Sequence, residues 1–289
     1  MVVDSKTKGG KVLVFKGPLQ AQDKTIQIEI PKEEEDRNAL DLLRHLKGVK
    51  KALVFSTHLD DAVLSTGSLI AHLITHNFDV SILSAFTEGS NLDAPLPKKL
   101  IRQSGFSNTK EYFQTRKTED REAISLLGKI QIHHFGLTDA AWRYTNSGEP
   151  IYPLTTLGVE RSIYDTTFLE LTRRLEEFKQ STSNTVVFGP IGWGRHVDHV
   201  LVRDAVAHVF PDAIFYADFP YTQKSHGEDE FVKKHQRSPI VWKANNYSLK
   251  AKAVAVYKTQ IVSMFGENGY MRLDHETFYV KRRVTKDKS

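Results

Sequence analysis

From residue 51 onward the chain alternates apolar runs of strand length with stretches whose apolar positions recur every three or four residues. "KALVFST" (51–57), "DVSILSAF" (79–86), "KIQIHHF" (129–135), "NTVVFGP" (184–190) and "AIFYADF" (213–219) are the strand-like runs. Helical patterns lie between them. In 62–75, Val63, Gly67, Ile70 and Ile74 fall on one face, with Leu64 and Ala71 beside them. A second helix is predicted over 115–128, ended by Gly128, and a third over 159–178, with Ile163, Phe168, Leu171, Leu175 and Phe178 as its apolar set. Residues 198–210 and one long segment over 247–265 complete the helices. Such alternation predicts an α/β fold, a mostly parallel sheet with helices on both faces.

The first 50 residues follow another pattern. "KVLVFKG" (11–17) and "KTIQIEI" (24–30) predict a β-hairpin. Residues 31–48 predict a helix, with Pro31 near its start, acids in its first turn and Gly48 at its end. The expected organisation is an N-terminal extension over 1–50 packed on a main domain over 51–289. Three long irregular stretches, 87–114, 136–158 and 222–245, read as loops that shape a binding site.

Composition narrows the class without changing that architecture. Hydrophobic residues make up 40% and charged residues 26% of 289, the balance of an ordinary globular chain. Forty Lys and Arg against 35 Asp and Glu leave a formal charge of +5, loaded toward "VKRRVTKDK" at 280–288. No recognition motif accompanies that charge, so no nucleic-acid partner is expected. No apolar run approaches the roughly 20 residues of a membrane-spanning helix, and the first residues lack the apolar core of a secretion signal, so a cytoplasmic location is expected. Cysteine is absent. Disulfides and thiolate metal sites are thereby excluded, and any metal must be held by His, Asp or Glu.

Candidate chemistry sits where strand runs stop. "STHLDD" ends the first run and places His58, Asp60 and Asp61 at the carboxyl end of a predicted core strand. "GRHVDH" follows the run at 184–190 and places His196, Asp198 and His199 at an equivalent point. Ligands of doubly wound sheets bind beyond the carboxyl ends of the strands. The two clusters can supply two imidazoles and one carboxylate to a metal and still leave an acid and a base, a recurring catalytic zinc arrangement. Taken singly, Asp61 reads equally as a helix cap, Asp198 can cap the following helix, and a lone His58 reads as a structural histidine.

These residues resemble the LmbE/PIG-L family of zinc-dependent N-acetylglucosaminyl deacetylases. "HLDDA" (58–62) stands where that family has His-Pro-Asp-Asp-Glu, and "HVDH" (196–199) where it has His-Pro-Asp-His. "TEG" (87–89), "RKTEDREAISLLG" (116–128), "HHFGLTDAAW" (133–142) and "FYADFPY" (215–221) match further family segments in order. The resemblance implies an LmbE-like, Rossmann-like fold. It implies Zn²⁺ held by His58, Asp61 and His199, and Asp60 as the general base that activates a zinc-bound water. His196 would stabilise the oxyanion or act as general acid, and Asp198 would orient His196 by accepting its other ring N–H. Arg116 and Asp139 would contact the sugar; Tyr221, an aromatic platform, reads equally as a sugar-stacking and as a packing group. For Arg116 a surface ion pair with Glu119 or Asp120 competes with that role. Trp142 and Trp193 read equally as sugar-stacking and as packing groups. His226 and His235 lie in a predicted loop within reach of substrate; the remaining histidines read as structural.

Three positions depart from the pattern: Leu59 and Val197 replace its prolines, and Ala62 its glutamate. The implied activity is removal of an N-acetyl or other N-acyl group from an amino sugar. Two alternatives share the same residues: hydrolysis of a different amide, in a thiol conjugate, glycopeptide or glycolipid, and metal-free carbohydrate binding on the same fold.

Overall fold

The structure is a computed structural model that describes residues 2–6, 10–16, 25–33, 37–91, 94–223, 230–266 and 269–282. The N-terminal strands β1 (Val2–Lys6), β2 (Gly10–Lys16) and β3 (Thr25–Pro31) pair antiparallel, with Lys11 opposite Ile30 and Phe15 opposite Ile26. The predicted hairpin is present. Pro31 closes β3 instead of opening a helix, and helix α1 is described only over Arg37–His45.

The main sheet collects β4 (Lys51–Ser56), β5 (Asp79–Glu88), β6 (Gln131–Thr138), β7 (Thr185–Pro190), β8 (Ile214–Tyr216), β9 (Arg237–Trp242) and β11 (Glu276–Lys281). Their order is β6-β5-β4-β7-β8-β11-β9. The first five are mutually parallel; β11 runs antiparallel to both β8 and β9. Strand β10 (Tyr270–Arg272) leaves this sheet and adds parallel to β3, so the N-terminal strands are stitched to the last part of the chain.

Strand β4 alternates between two cores, as period-two geometry requires. Ala52 and Val54 join a cluster with α2 (Asp61–Thr75), α4 (Thr109–Leu127) and α8 (Tyr247–Val254). Leu53 and Phe55 join another with α5 (Thr167–Lys179) and α6 (Val197–Val209). The sheet therefore carries helices on both faces. The chain enters at β4, builds outward through β5 and β6, then returns to the other side of β4 as β7. The reversal between β4 and β7 is the switch point where such sheets open a crevice.

Several predicted elements shift. The helix expected over 159–178 begins only at Thr167, and Ile163 is 88% exposed. Asp165 explains this: its buried carboxylate accepts from Thr167 N–H and from Arg143, which holds the preceding residues in turns. The single helix expected over 247–265 breaks into α8 and α9 (Lys258–Phe265). Tyr257 sits in the break, fully buried, and donates its hydroxyl to Asp120. Two of the expected loops carry structure. The stretch 87–114 contains α3 (Pro95–Gln103) and the start of α4, capped by Asn108; the stretch 222–245 contains α7 (Glu230–Lys234) and β9. No helix of the described residues is long and apolar enough to cross a membrane.

Candidate metal centre

The turn from β4 into α2 is built by its own side chains. Ser56 Oγ donates to His58 O at 2.6 Å and accepts from Ala62 N–H at 2.9 Å. Asp61 Oδ2 accepts from His58 N–H at 2.7 Å. Together they fix the backbone that a proline would otherwise preset. Leu59 is free to pack instead, fully buried with Tyr112, Phe113 and Trp142. At the second turn Val197 packs with Ala140 and Tyr152. Helix α6 starts at Val197, and its N-cap is His196, whose Nδ1 accepts from Asp198 N–H; the capping role available to Asp198 is not used.

Two sets of three ligand-capable groups converge at the switch point among the described residues: His58, Asp61 and His199, and His58, His196 and Asp198. In the first set, Asp61 Oδ2 is 3.3 Å from His58 Nδ1 and 3.4 Å from His199 Nε2. Donors about 2.0–2.1 Å from a tetrahedral zinc lie about 3.4 Å apart, so these separations fit such an ion. The nitrogen of each imidazole that faces away meets a carboxylate. His58 Nε2 is 3.1 Å from Asp198 Oδ2, and His199 Nδ1 is 2.6 Å from Asp218 Oδ1. The second set has no such freedom. His196 Nδ1 accepts a backbone hydrogen bond, its Nε2 is 2.7 Å from Thr156 Oγ1, and Asp198 is occupied by Arg143 and Ala140 N–H. A neutral imidazole whose Nδ1 accepts carries its hydrogen on Nε2, which leaves no lone pair for a metal.

Burial separates the groups by depth. His58, Asp60, Asp61, Arg116 and Asp139 keep 5–7% exposure, whereas Asp198, His199 and Asp218 keep 0–1%.

Charge follows this geometry. Burial pushes the Asp60 carboxyl up, and adjacent Asp61 pushes it further, to about 6. Burial would raise Asp61 too, but His199 and His58 hold it well below the carboxylate range. Burial would raise Asp198 as well, but Arg143 together with His58 and His196 holds it below the carboxylate range. His58 and His199 would be lowered by burial, yet the surrounding carboxylates raise both: Asp139, Asp198 and Asp61 for His58, and Asp61 and Asp218 for His199. His196 is lowered well below the usual value by burial and by His58.

The structure brings all nine expected site residues to this region, with changed contacts for some. The carboxylate of Asp198 does not accept from the His196 ring; it serves His58, Arg143 and Ala140 N–H. Arg116 is not a surface residue paired with Glu119 or Asp120. It is buried, 3.6 Å from Asp60 Oδ2, and its Nε has no hydrogen-bond partner. Glu119 instead accepts from Thr259, and Asp120 from Tyr257 and His134. Asp139 stands 3.5 Å from His58 Nε2, with Oδ1 accepting from Ala141 N–H. Tyr221 lies edge-on to His199, ring centroids 5.5 Å apart. Trp142 resolves as packing: it is buried against Tyr112 and Phe113 and donates to Thr109. Trp193 packs against the α5–α6 cluster, His235 lies on Phe231, and His226 falls outside the described residues.

Four residues of the centre escaped sequence reasoning: Thr156, Asp165, Arg143 and Asp218. Asp218 alone carried a signal, an acid interrupting the apolar run "AIFYADF" at a strand end, the same signal that marked "STHLDD".

A buried cluster of His and Asp side chains able to hold a metal, at the switch point of a mostly parallel sheet, is what this geometry defines. The chain belongs to the PIG-L family: residues 53–210 match the family described as GlcNAc-PI de-N-acetylase. It is 26% identical over 265 residues to a 2'-N-acetylparomamine deacetylase of Niallia circulans, across 82% of this chain and 93% of that one. To the 2'-N-acetylparomamine deacetylase of Streptomyces fradiae it is 28% identical over 194 residues, 65% of this chain and 62% of that one. Among solved structures, a teicoplanin deacetylase in a zinc-inhibited form shares the fold, with a TM-score of 0.67 at 22% identity, covering 83% of this chain and all of the other.

Proposed function

We propose that the protein is a divalent-metal-dependent hydrolase that removes the N-acetyl group of an amino sugar or amino-sugar conjugate. The observation that carries this reading is the convergence of His58, Asp61 and His199, whose ligand atoms all lie within 4.8 Å of one another, with Asp61 Oδ2 at 3.3 and 3.4 Å from the two imidazoles and Asp60 next in the chain. Membership of the PIG-L family supports N-deacetylation, and the two relatives support an aminoglycoside-type amino sugar as substrate class.

His58, Asp61 and His199 would hold the ion. When bound, a divalent ion polarises the acyl carbonyl and makes a nearby water acidic. Asp60 accepts the proton of the attacking water and passes it toward the leaving nitrogen. The water oxygen bonds to the acyl carbon, the C–N bond breaks, the amine takes the proton from Asp60, and acetic acid leaves and gives its remaining proton to solvent as acetate. His196 has one ring hydrogen, on Nε2 and directed at Thr156 Oγ1; that hydrogen would turn from Thr156 to the acyl oxygen as charge builds there. Asp198 orients His58, with Arg143 and Asp165 behind it. Arg116 and Asp139, beside Asp60 and His58, would supply a donor and an acceptor for sugar hydroxyls, and Tyr221 lines the His199 side. Zinc suits this donor set, and other divalent ions share it.

The test is acetate release from N-acetylglucosamine conjugates and 2'-N-acetylated aminoglycosides, with protein loaded separately with Zn²⁺, Co²⁺, Ni²⁺ or Mn²⁺ and zinc varied in concentration. Turnover of an amino sugar with one of these ions supports the reading. Metal uptake without hydrolysis of any substrate would leave a binding protein on the same fold.

A further inference from the structure

We propose that Asp218 is the positioning residue that decides which nitrogen of His199 faces the metal, and that the same carboxylate holds the turn carrying His196; the proposal rests on the reading of His199 as a ligand. Asp218 lies two residues beyond β8, outside both the "HLDD" and "HVDH" segments, and is fully buried. Its Oδ1 is 2.6 Å from His199 Nδ1. Its Oδ2 accepts from Gly192 N–H at 2.7 Å and from Trp193 N–H at 2.9 Å.

A carboxylate accepts and does not donate, so the hydrogen of His199 is drawn to Nδ1 and the Nε2 lone pair is left facing Asp61 Oδ2. His58 is set the opposite way, with Nε2 toward Asp198 and Nδ1 toward Asp61. The two histidines thus present different nitrogens to one point, each selected by a carboxylate behind it.

The other oxygen of Asp218 acts on a turn with unusual backbone. Gly192, Gly194 and Arg195 have φ of 82°, 78° and 52°, in the left-handed region, and a Cβ on Gly194 would come within 2.3 Å of the Tyr221 ring. This turn runs directly into His196. Without an acceptor at Asp218 Oδ2, one buried and one part-buried N–H of a left-handed turn would lose their partner. One side chain therefore couples the tautomer of a ligand to the placement of the residue that meets the acyl oxygen.

Asparagine cannot do both tasks. Its amide has one accepting oxygen and one donating NH₂. With the oxygen kept on the turn, NH₂ faces His199 Nδ1 and drives the hydrogen to Nε2, which closes that nitrogen to a metal. With the amide flipped, the turn loses its acceptor.

The experiment compares wild type, Asp218→Asn and Asp218→Ala for Zn²⁺ and Co²⁺ affinity by chelator competition, after circular dichroism and melting without metal have shown each to be folded. The expected result is a loss of about 10–100-fold in affinity for Asp218→Asn, with kcat reduced and KM unchanged for an N-acetylated substrate. Long-range ¹H–¹⁵N NMR of metal-loaded wild type requires no variant and places the His199 hydrogen on Nδ1. Affinity of folded Asp218→Asn within twofold of wild type, or a His199 hydrogen found on Nε2, overturns the proposal. Wild type that binds no divalent ion fails at the earlier step and overturns the ligand reading together with it.

Discussion

Asp60 and Asp61 are adjacent carboxylates whose proton affinities are pushed in opposite directions, and the difference comes from what each one faces. Asp61 is held ionised by His199 and His58; Asp60, buried beside it, is pushed up to about 6. The proposed division of labour predicts that Asp60→Asn lowers kcat by about 10²–10⁴-fold, the range for loss of a proton-transfer group, while metal content by elemental analysis stays at the wild-type ratio. Loss of the metal along with activity would place Asp60 among the ligands instead. Thr156→Val tests the support of His196: one part-buried hydrogen bond is removed, and a drop in kcat of about tenfold is expected, read in the same acetate assay. At this scale the two motifs were legible because each brought several chemistry-bearing residues to one strand end. Arg143, Asp165 and Thr156 were not, because a single Arg, Asp or Thr in a long connection carries no pattern; only the folded chain shows that Arg143 bridges Asp198 and Asp165.

The elements that were legible are the parallel strands and the helices between them, whose apolar periods are long and uninterrupted. Strand β9, "RSPIVW", was lost because Pro239 breaks the pattern; as the edge of the sheet it tolerates the missing N–H. The break between α8 and α9 was lost because no Gly or Pro marks it, and the cause is the burial of Tyr257. Two predictions belong here. Leu59 occupies the position of a family proline and fills a fully buried site against Trp142, so Leu59→Ala should cost about 2–5 kcal/mol in denaturant unfolding. Glu119 on α4 is buried against Thr259, and burial raises its carboxyl to about 7, only partly offset by the hydrogen bonds from Thr259. The folded chain therefore holds a proton that the unfolded chain releases near 4.5, so this group's contribution to stability falls as pH rises from about 4.5 through about 7. Glu119→Gln removes that loss. The melting temperature of the variant relative to wild type should rise between pH 5 and pH 7.5; a constant difference would contradict the assignment.

At the scale of the molecule, strand order does the work that no single motif can. Entering at β4 and returning as β7 sets two turns, 140 residues apart in sequence, on either side of one crevice. The parallel sheet was readable from alternation; its order, and the stitching of β10 to β3, were not, because strand pairing over such separations leaves no local trace. If the assembled centre binds a divalent ion and the unfolded chain does not, saturating metal should raise the melting temperature by about 5 °C or more, and His58→Ala should abolish the shift. The most direct measurement strips wild-type protein of metal with a chelator, then follows acetate release from an N-acetylated amino-sugar conjugate before and after a divalent ion is returned. The account predicts no release from stripped protein and recovery on reloading, with Asp60→Asn silent in both states. Undiminished release from stripped protein would contradict it.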